Sequence, residues 1–259
     1  MPTRAQSDRV NILGVGVHAI DMDQALDAVC SAIEDGRKGY ICVTGVHGIM
    51  EAQTDPSLRA ILNQSLLTTP DGMPTVWVGR LRGFSGMSRV FGPDLMLETC
   101  KISIDRGYTH FLYGGAPGVA EDLEKSLLRR FPGLKIVGTF TPPFRPLNAE
   151  EEASLRLRVA SLRPDFFWVG LSTPKQERFM AQFLPKLDTK LMVGVGAAFD
   201  VHTGRIQDAP DWVKSSGLQW FHRLCQEPQR LWKRYLINNP KFVVKMAGQL
   251  SGLTKYDPV

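Results

Sequence analysis

No C-x-x-C pair occurs in the 259-residue chain, and its four cysteines, Cys30, Cys42, Cys100 and Cys225, stand far apart. That spacing argues against a zinc ribbon or a framework of disulfides and fits reduced, buried thiols in a cytosolic protein. No run of about 18 apolar residues is present, so no segment should span a bilayer. The opening MPTRAQSDRVN lacks the apolar core of a secretory leader. The five histidines (His18, His47, His110, His202, His222) show no H-x-x-x-H spacing, and no G-x-S-x-G occurs, which removes the zincin and hydrolase signatures. Internal repeats and low-complexity tracts are absent too. With 24 Gly and 17 Pro the chain is neither collagen-like nor disordered, and 43% hydrophobic residues suffice for a full core.

Charge is unevenly placed. Residues 204–259 carry nine Lys or Arg against four Asp or Glu, whereas the first 203 residues hold 22 of each. The whole net charge of +5 therefore sits in the last fifth of the chain. Trp212, Trp220, Phe221, Trp232, Tyr235, Phe242 and Tyr256 lie in that same stretch. Basic residues interleaved with aromatics suit an anionic membrane surface, nucleic acid or a phosphorylated ligand, and equally a solvated basic face over an aromatic core.

Apolar, β-branched runs that end in Gly, Pro or Ser alternate with helical patterns. Strands are expected at Tyr40–Thr44, Ser65–Thr69, His110–Tyr113, Lys135–Thr139, Phe166–Val169 and Leu191–Val195. Helices are expected from Gly48 through Asn63 and at Pro74–Leu81, Pro117–Arg130, Glu150–Leu162 and Pro174–Leu184. Such alternation predicts an α/β fold: a Rossmann-like, mainly parallel sheet with helices on both faces. From Ile206 onward only helical segments follow, punctuated by Pro210, Pro228 and Pro240. The division expected is a catalytic domain over residues 1–203 and a helical appendage over 204–259.

Open parallel sheets bind ligands at the carboxyl ends of their strands, so the residues just after each strand are the candidates. Asp71, in Thr69-Pro70-Asp71-Gly72, follows a strand and precedes a helix. There it would serve as a base for a hydroxyl nucleophile, although Pro-Asp-Gly is also an ordinary turn. The turn Gly114-Gly115-Ala116-Pro117-Gly118 lets backbone approach a phosphate at a helix N-terminus. It is not a full G-x-G-x-x-G, and no acid stands about 20 residues on to hold a ribose, which disfavours NAD. In Ser172-Thr173-Pro174-Lys175-Gln176-Glu177, Thr173 and Gln176 read as a capping box. Lys175 and Glu177 are left at the crevice mouth, suited to a phosphate and to a sugar or base edge. His47 alone among the histidines follows a strand end. At 100° per residue Arg223, Arg230 and Arg234 share one helical face within about 40°, a match for a diphosphate, if Pro228 does not break the helix. Asp21-Met22-Asp23 has the look of a metal-binding D-x-D, but it directly precedes a helix and reads better as a cap.

Taken together, the stretches PDGMPTVWVGRLRG, GPDL, FLYGGAPGVAEDLEKSL, FFWVGLSTPKQERFM, VGVGAAFDVHTGRIQDAPDW and GLQWFHRLCQEPQRLWKRYL resemble the WecG/TagA/CpsF bacterial glycosyltransferases. They run in order over most of Thr44–Leu236. The resemblance implies an inverting enzyme that uses a UDP-sugar donor and an undecaprenyl-diphosphate-linked sugar acceptor, with no metal and no cofactor. It implies that Asp71 is the general base and that Thr44 and Gln176 lie in the same pocket. It places the acceptor diphosphate on Arg223 and Arg230 with Lys233 or Arg234. The donor nucleotide sugar is assigned to Gly114, Gly115, Gly118, Lys175, Glu177 and His47. The chain departs from the family pattern at Val46, where Asn is common, and at Gln219, where Glu is common.

The partners expected are a UDP-sugar, a polyprenyl-diphosphate-linked sugar and the anionic inner face of the plasma membrane, bound peripherally from the cytoplasm. The sequence leaves the oligomeric state open, a homo-oligomer included. Nucleic acid is not expected, because the neutral first 203 residues offer no basic stripe. Two other readings compete: a non-catalytic membrane-docking component of a polysaccharide assembly complex, and a nucleotide-dependent oxidoreductase. The first leaves Asp71, Gln176 and the glycine turns without work. The second lacks the ribose acid and the glycine fingerprint.

Overall fold

A computed structural model describes residues 8–257, apart from the side chains of Asp211 and Ser215. The start of the stretch read above for a leader, residues 1–7, lies outside them. The described chain opens on an antiparallel hairpin, β1 (Arg9–Ile12) and β2 (Val15–His18). Leu13 and Gly14 turn it, both at positive φ (53° and 84°), as a type I′ hairpin turn requires. α1 (Met22–Glu34) follows, and Asp21 is indeed its cap. The Gln24 amide donates to Asp21 Oδ1 at 2.8 Å, and the Asp21 amide donates to Gln24 Oε1 at 3.1 Å.

Wholly buried β3 (Gly39–Thr44) comes next. The single helix expected from Gly48 through Asn63 is two, α2 (Val46–Glu51) and α3 (Pro56–Gln64). Proline in mid-helix would remove a hydrogen bond and clash with the preceding turn. Here Pro56 instead starts α3, and Asp55 caps it by accepting the Leu58 amide at 3.1 Å. β4 (Leu67–Pro70) leads to α4 (Met73–Leu81), with Pro74 in its first turn, and α5 (Gly92–Arg106) precedes β5 (Thr109–Gly114). After α6 (Val119–Arg130) and β6 (Lys135–Phe140), α7 (Ala149–Leu162) begins at a reciprocal Asn148–Glu151 capping box. β7 (Phe166–Gly170), α8 (Lys175–Phe183), β8 (Leu191–Gly194) and α9 (Ala198–His202) complete the alternation. The chain then runs through α10 (Asp211–Ser215), α11 (Gln219–Gln226) and α12 (Pro228–Leu250).

Six strands form one parallel sheet in the order β4-β3-β8-β7-β5-β6, flanked by helices: the Rossmann-like α/β fold expected. Two compact units divide the chain, one of Met1–Ala25, Val43–Phe91 and Ala209–Val259, the other of Leu26–Cys42 and Gly92–Asp208.

In the first unit α12 packs on α2, and Gln249 of α12 accepts the Leu13 amide at 2.9 Å and donates to the Asn11 carbonyl at 3.2 Å. Arg9 donates to the carbonyls of Asn63 and Ser65, both at 2.7 Å. Burial, followed by the positive charge of Arg9, pushes the His18 imidazole down to about 4.

In the second unit Phe166, Phe167 and Trp168 are fully buried on adjacent strand positions, each contributing about 1.5–3 kcal/mol of transfer free energy. His110 stacks on Phe166, 5.1 Å between centroids, and accepts the Trp168 indole N–H at 2.9 Å. Burial holds that imidazole down at about 3, so it is a neutral core residue. All four cysteines are free, but only Cys42 and Cys100 are buried. Cys225 is exposed on α11.

Candidate active site

The first unit holds Asp71, the expected base. Thr44 ends β3 and Asp71 follows β4, and the Asp71 amide donates to the Thr44 carbonyl at 3.0 Å. Gly45 permits this approach, since a Cβ there would stand 2.6 Å from the Asp71 carbonyl oxygen. Thr44 is 2% exposed, and its hydroxyl has no hydrogen-bond partner. His47, on the first turn of α2, turns its Nδ1 to the Glu51 carboxylate at 3.6 Å.

Arg89, which no feature of the sequence singled out, lies beside Asp71. Its Nε lies 3.9 Å from Asp71 Oδ1, and its guanidinium sits 4.1 Å over the Phe91 ring and donates to the Gln219 side-chain carbonyl. No periodicity or motif marks a lone Arg in Ser88-Arg89-Val90-Phe91; only its place just before GPDL gives a signal.

The shared helical face expected for Arg223, Arg230 and Arg234 does not exist. The backbone breaks at Glu227 (φ −132°, ψ 58°) between α11 and α12, because Pro228 cannot continue α11. Glu227 gathers two of the arginines by another route. Its Oε2 accepts from Arg223 Nη2 at 3.1 Å and from Arg230 Nη2 at 2.7 Å. Burial, then the charges of Arg223 and Arg230, pull Arg234 below its ordinary value, with Tyr235 and Asp71 pulling the other way. Four guanidinium groups thus share the neighbourhood of two carboxylates. The Nε atoms of Arg89, Arg223 and Arg234 are buried without a hydrogen-bond partner. Buried donors left unpaired in an excess of positive charge are what an anionic ligand satisfies. Lys233 is not brought in: it is exposed, with Nζ 5.5 Å from the Trp232 ring.

The second unit holds the remaining candidates. Gly114 (φ 133°) could not carry a side chain, because a Cβ would stand 2.5 Å from the Gly170 carbonyl oxygen. That carbonyl also accepts the Gly115 amide at 3.1 Å, so both glycines serve the close approach of β5 and β7. Gly118 (φ 83°) is the N-cap of α6 and has open space around it. Lys175 is exposed at the first position of α8, and Gln176 and Glu177 are 3% and 1% exposed.

Two expectations for this segment are overturned. Thr173 and Gln176 form no capping box: α8 begins after Pro174 without a side-chain cap, and the Thr173 hydroxyl donates to Glu177 Oε1 at 2.8 Å. Nor does Glu177 sit at a crevice mouth, since that hydrogen bond and another from Gln176 Nε2 at 3.1 Å hold it inside. Among the described residues no group of three or more His, Cys, Asp or Glu is placed to hold a metal ion.

A parallel sheet with polar residues at its strand ends, and a carboxylate among arginines in one unit, is the architecture of a Rossmann-like enzyme. The family model described as glycosyl transferase WecG/TagA/CpsF family matches residues 10–256, and the chain belongs to that family. It is similar to the N-acetylglucosaminyldiphosphoundecaprenol N-acetyl-beta-D-mannosaminyltransferase of Bacillus spizizenii (strain ATCC 23059 / NRRL B-14472 / W23). The two are 30% identical over 227 residues, 86% of each chain. The transferase of the same name from Bacillus subtilis (strain 168) is 28% identical over 184 residues, 71% of this chain and 69% of that one.

Proposed function

We propose that the protein transfers an N-acetylmannosaminyl-type sugar from a UDP-sugar to a sugar carried on undecaprenyl diphosphate, inverting the anomeric centre. The relatives' names specify an N-acetyl-β-D-mannosaminyl group and an N-acetylglucosaminyl-diphosphoundecaprenol acceptor. The observation that carries the reading is Asp71, at a strand end and within reach of guanidinium groups whose buried Nε atoms lack partners.

Asp71 takes the proton of the acceptor hydroxyl as its oxygen bonds to the anomeric carbon. The bond from that carbon to the UDP oxygen breaks, and its electron pair leaves with UDP. Arg223, Arg230 and Arg234 neutralise the acceptor diphosphate, and Arg89 stands beside the base. We assign Lys175 to the donor phosphates and Gln176 to the donor sugar. Charge neutralisation by arginine makes a metal unnecessary, so turnover should survive EDTA.

Residues 204–259 dock on the anionic leaflet that carries the acceptor, at the inner face of the plasma membrane. Trp212, Phe221, Trp232, Val243 and Val244 are exposed there, and among the described residues no helix is long and apolar enough to cross a membrane. The deciding experiment measures UDP release from a panel of UDP-sugars with a polyprenyl-diphosphate-sugar acceptor in liposomes, comparing wild type with Asp71→Asn. Acceptor-dependent release from one donor, lost in a folded Asp71→Asn protein, is the expected result. Release that is equal in both proteins removes Asp71 from the chemistry, and none from any donor sinks the reading.

A further inference from the structure

Glu177 is a carboxylate buried to 1% exposure beside a carboxamide buried to 3%, and the proton transfer proposed above uses neither. Two donors converge on one of its oxygens: Thr173 Oγ1 at 2.8 Å and Gln176 Nε2 at 3.1 Å. In both bonds Glu177 Oε1 is the acceptor. The amino group of the Gln176 amide is therefore the end that faces Glu177, and its carbonyl oxygen points elsewhere. Gln176 Oε1 is buried and has no hydrogen-bond partner. A buried acceptor left unsatisfied destabilises a folded chain and calls for an explanation. Glycines make room for the amide. A Cβ on Gly194 would stand 3.0 Å from Gln176 Nε2, and one on Gly196 would stand 3.5 Å from Oε1.

We propose that Glu177, steadied by Thr173, is a positioning residue that locks the Gln176 carboxamide in one orientation. Its Oε1 is thereby a fixed hydrogen-bond acceptor for an O–H or N–H of the donor sugar. The inference rests on the transferase reading above and adds a rule of selectivity to it. A sugar that presents a hydroxyl or an acetamido N–H to Oε1 is bound. One that presents only an acceptor there is refused, because turning the amide would set its carbonyl against the Glu177 carboxylate.

A double-mutant cycle tests the lock on the full-length protein, with Gln176→Leu, Glu177→Gln and the two combined. A glutamine at position 177 can donate as well as accept, so it frees the amide to turn while nearly preserving shape. Kinetics give the KM for donor and for acceptor, calorimetric titration gives the Kd for the UDP-sugar, and thermal melting reports the fold. Each single substitution should raise donor KM and Kd about tenfold, the worth of one hydrogen bond in a buried site, and leave acceptor KM unmoved. The combined variant should be no worse than Gln176→Leu, since Glu177 then has no amide left to hold. Thr173→Val should show a smaller rise of the same kind, and it serves where Glu177→Gln fails to fold. Multiplying effects in the combined variant, or equal losses for donor and acceptor, would overturn the proposal. A wild type that binds the UDP-sugar without transferring it sinks the transferase reading, and the Kd cycle still judges the lock. A wild type that binds no UDP-sugar ends both.

Discussion

A carboxylate that follows a strand and precedes a helix is exposed enough to meet a substrate and close enough to backbone to be held still. Asp71 meets both conditions, with its amide on the Thr44 carbonyl and its side chain about one-third exposed. Replacing it with Asn keeps the shape and removes the base, and kcat should fall about 10²–10⁴-fold with an unchanged melting temperature. Gly194 offers a second check at the same scale. A methyl group there would stand 2.8 Å from Met180 Cε and 3.0 Å from Gln176 Nε2. Gly194→Ala should therefore lose about 1–3 kcal/mol in urea denaturation, as overpacking does, and weaken donor binding as well. Asp71 was legible because Pro-Asp-Gly after an apolar run marks a strand end. Arg89 was not, because what singles it out is that it faces Asp71 and Gln219, 18 and 130 residues away along the chain.

Among the elements, helix breaks decide most. Asp55-Pro56 splits what periodicity reads as one helix, and the cap bond from Asp55 to the Leu58 amide should be worth about 1 kcal/mol. An Asp55→Ala protein should lose about that much unfolding free energy in urea denaturation and keep its activity. The break at Glu227 matters more for function, because it lets α11 and α12 each bring an arginine to one carboxylate. Arg223→Ala should raise acceptor KM tenfold or more and leave donor KM alone. Arg230→Ala should do less, its side chain being half exposed and its charge screened by water. Other elements hid from the sequence for local reasons. The buried face of α5 includes Thr99, Cys100 and Ser103, whose small polar character masks the helical period. β1 and β2 are four residues each, too short for alternation to register.

Across the whole molecule, two buried imidazoles tie stability to pH. His18 and His110 are pushed from 6.5 to about 4 and about 3, chiefly by burial. As pH falls below about 6.5 the unfolded chain takes up protons that the folded chain refuses. Stability is thus complete above that pH and falls on the way down to about 4 and about 3. Each group contributes a slope of about 1.4 kcal/mol per pH unit in its window. Urea midpoints measured at pH 7.5, 6 and 5 should drop in that order, and a constant midpoint would show that neither group is buried neutral. Charge acts at the same scale, with the net +5 confined to residues 204–259. Co-sedimentation with anionic vesicles should weaken steeply as salt rises from 0.05 to about 0.5 M, while neutral vesicles retain little protein at any salt.

Sequence alone determined the α/β class, five of the six sheet strands nearly to the residue, the place of Asp71 just after a strand and of Gln176 at the start of the next helix after one, and the basic, aromatic character of the C-terminal helices. These are consequences of short-range patterning: apolar runs, glycine and proline punctuation, and charge counted along the chain. Tertiary structure alone decided that Arg89 faces Asp71, that Glu227 unites arginines from two helices, and that Thr173 and Glu177 hold an amide instead of capping a helix. Each of those rests on which side chains fill the space around a loop once the sheet has formed. Spacing along the chain carries no record of that packing, and a buried polar group takes its partners from whatever the packing brings within about 3 Å.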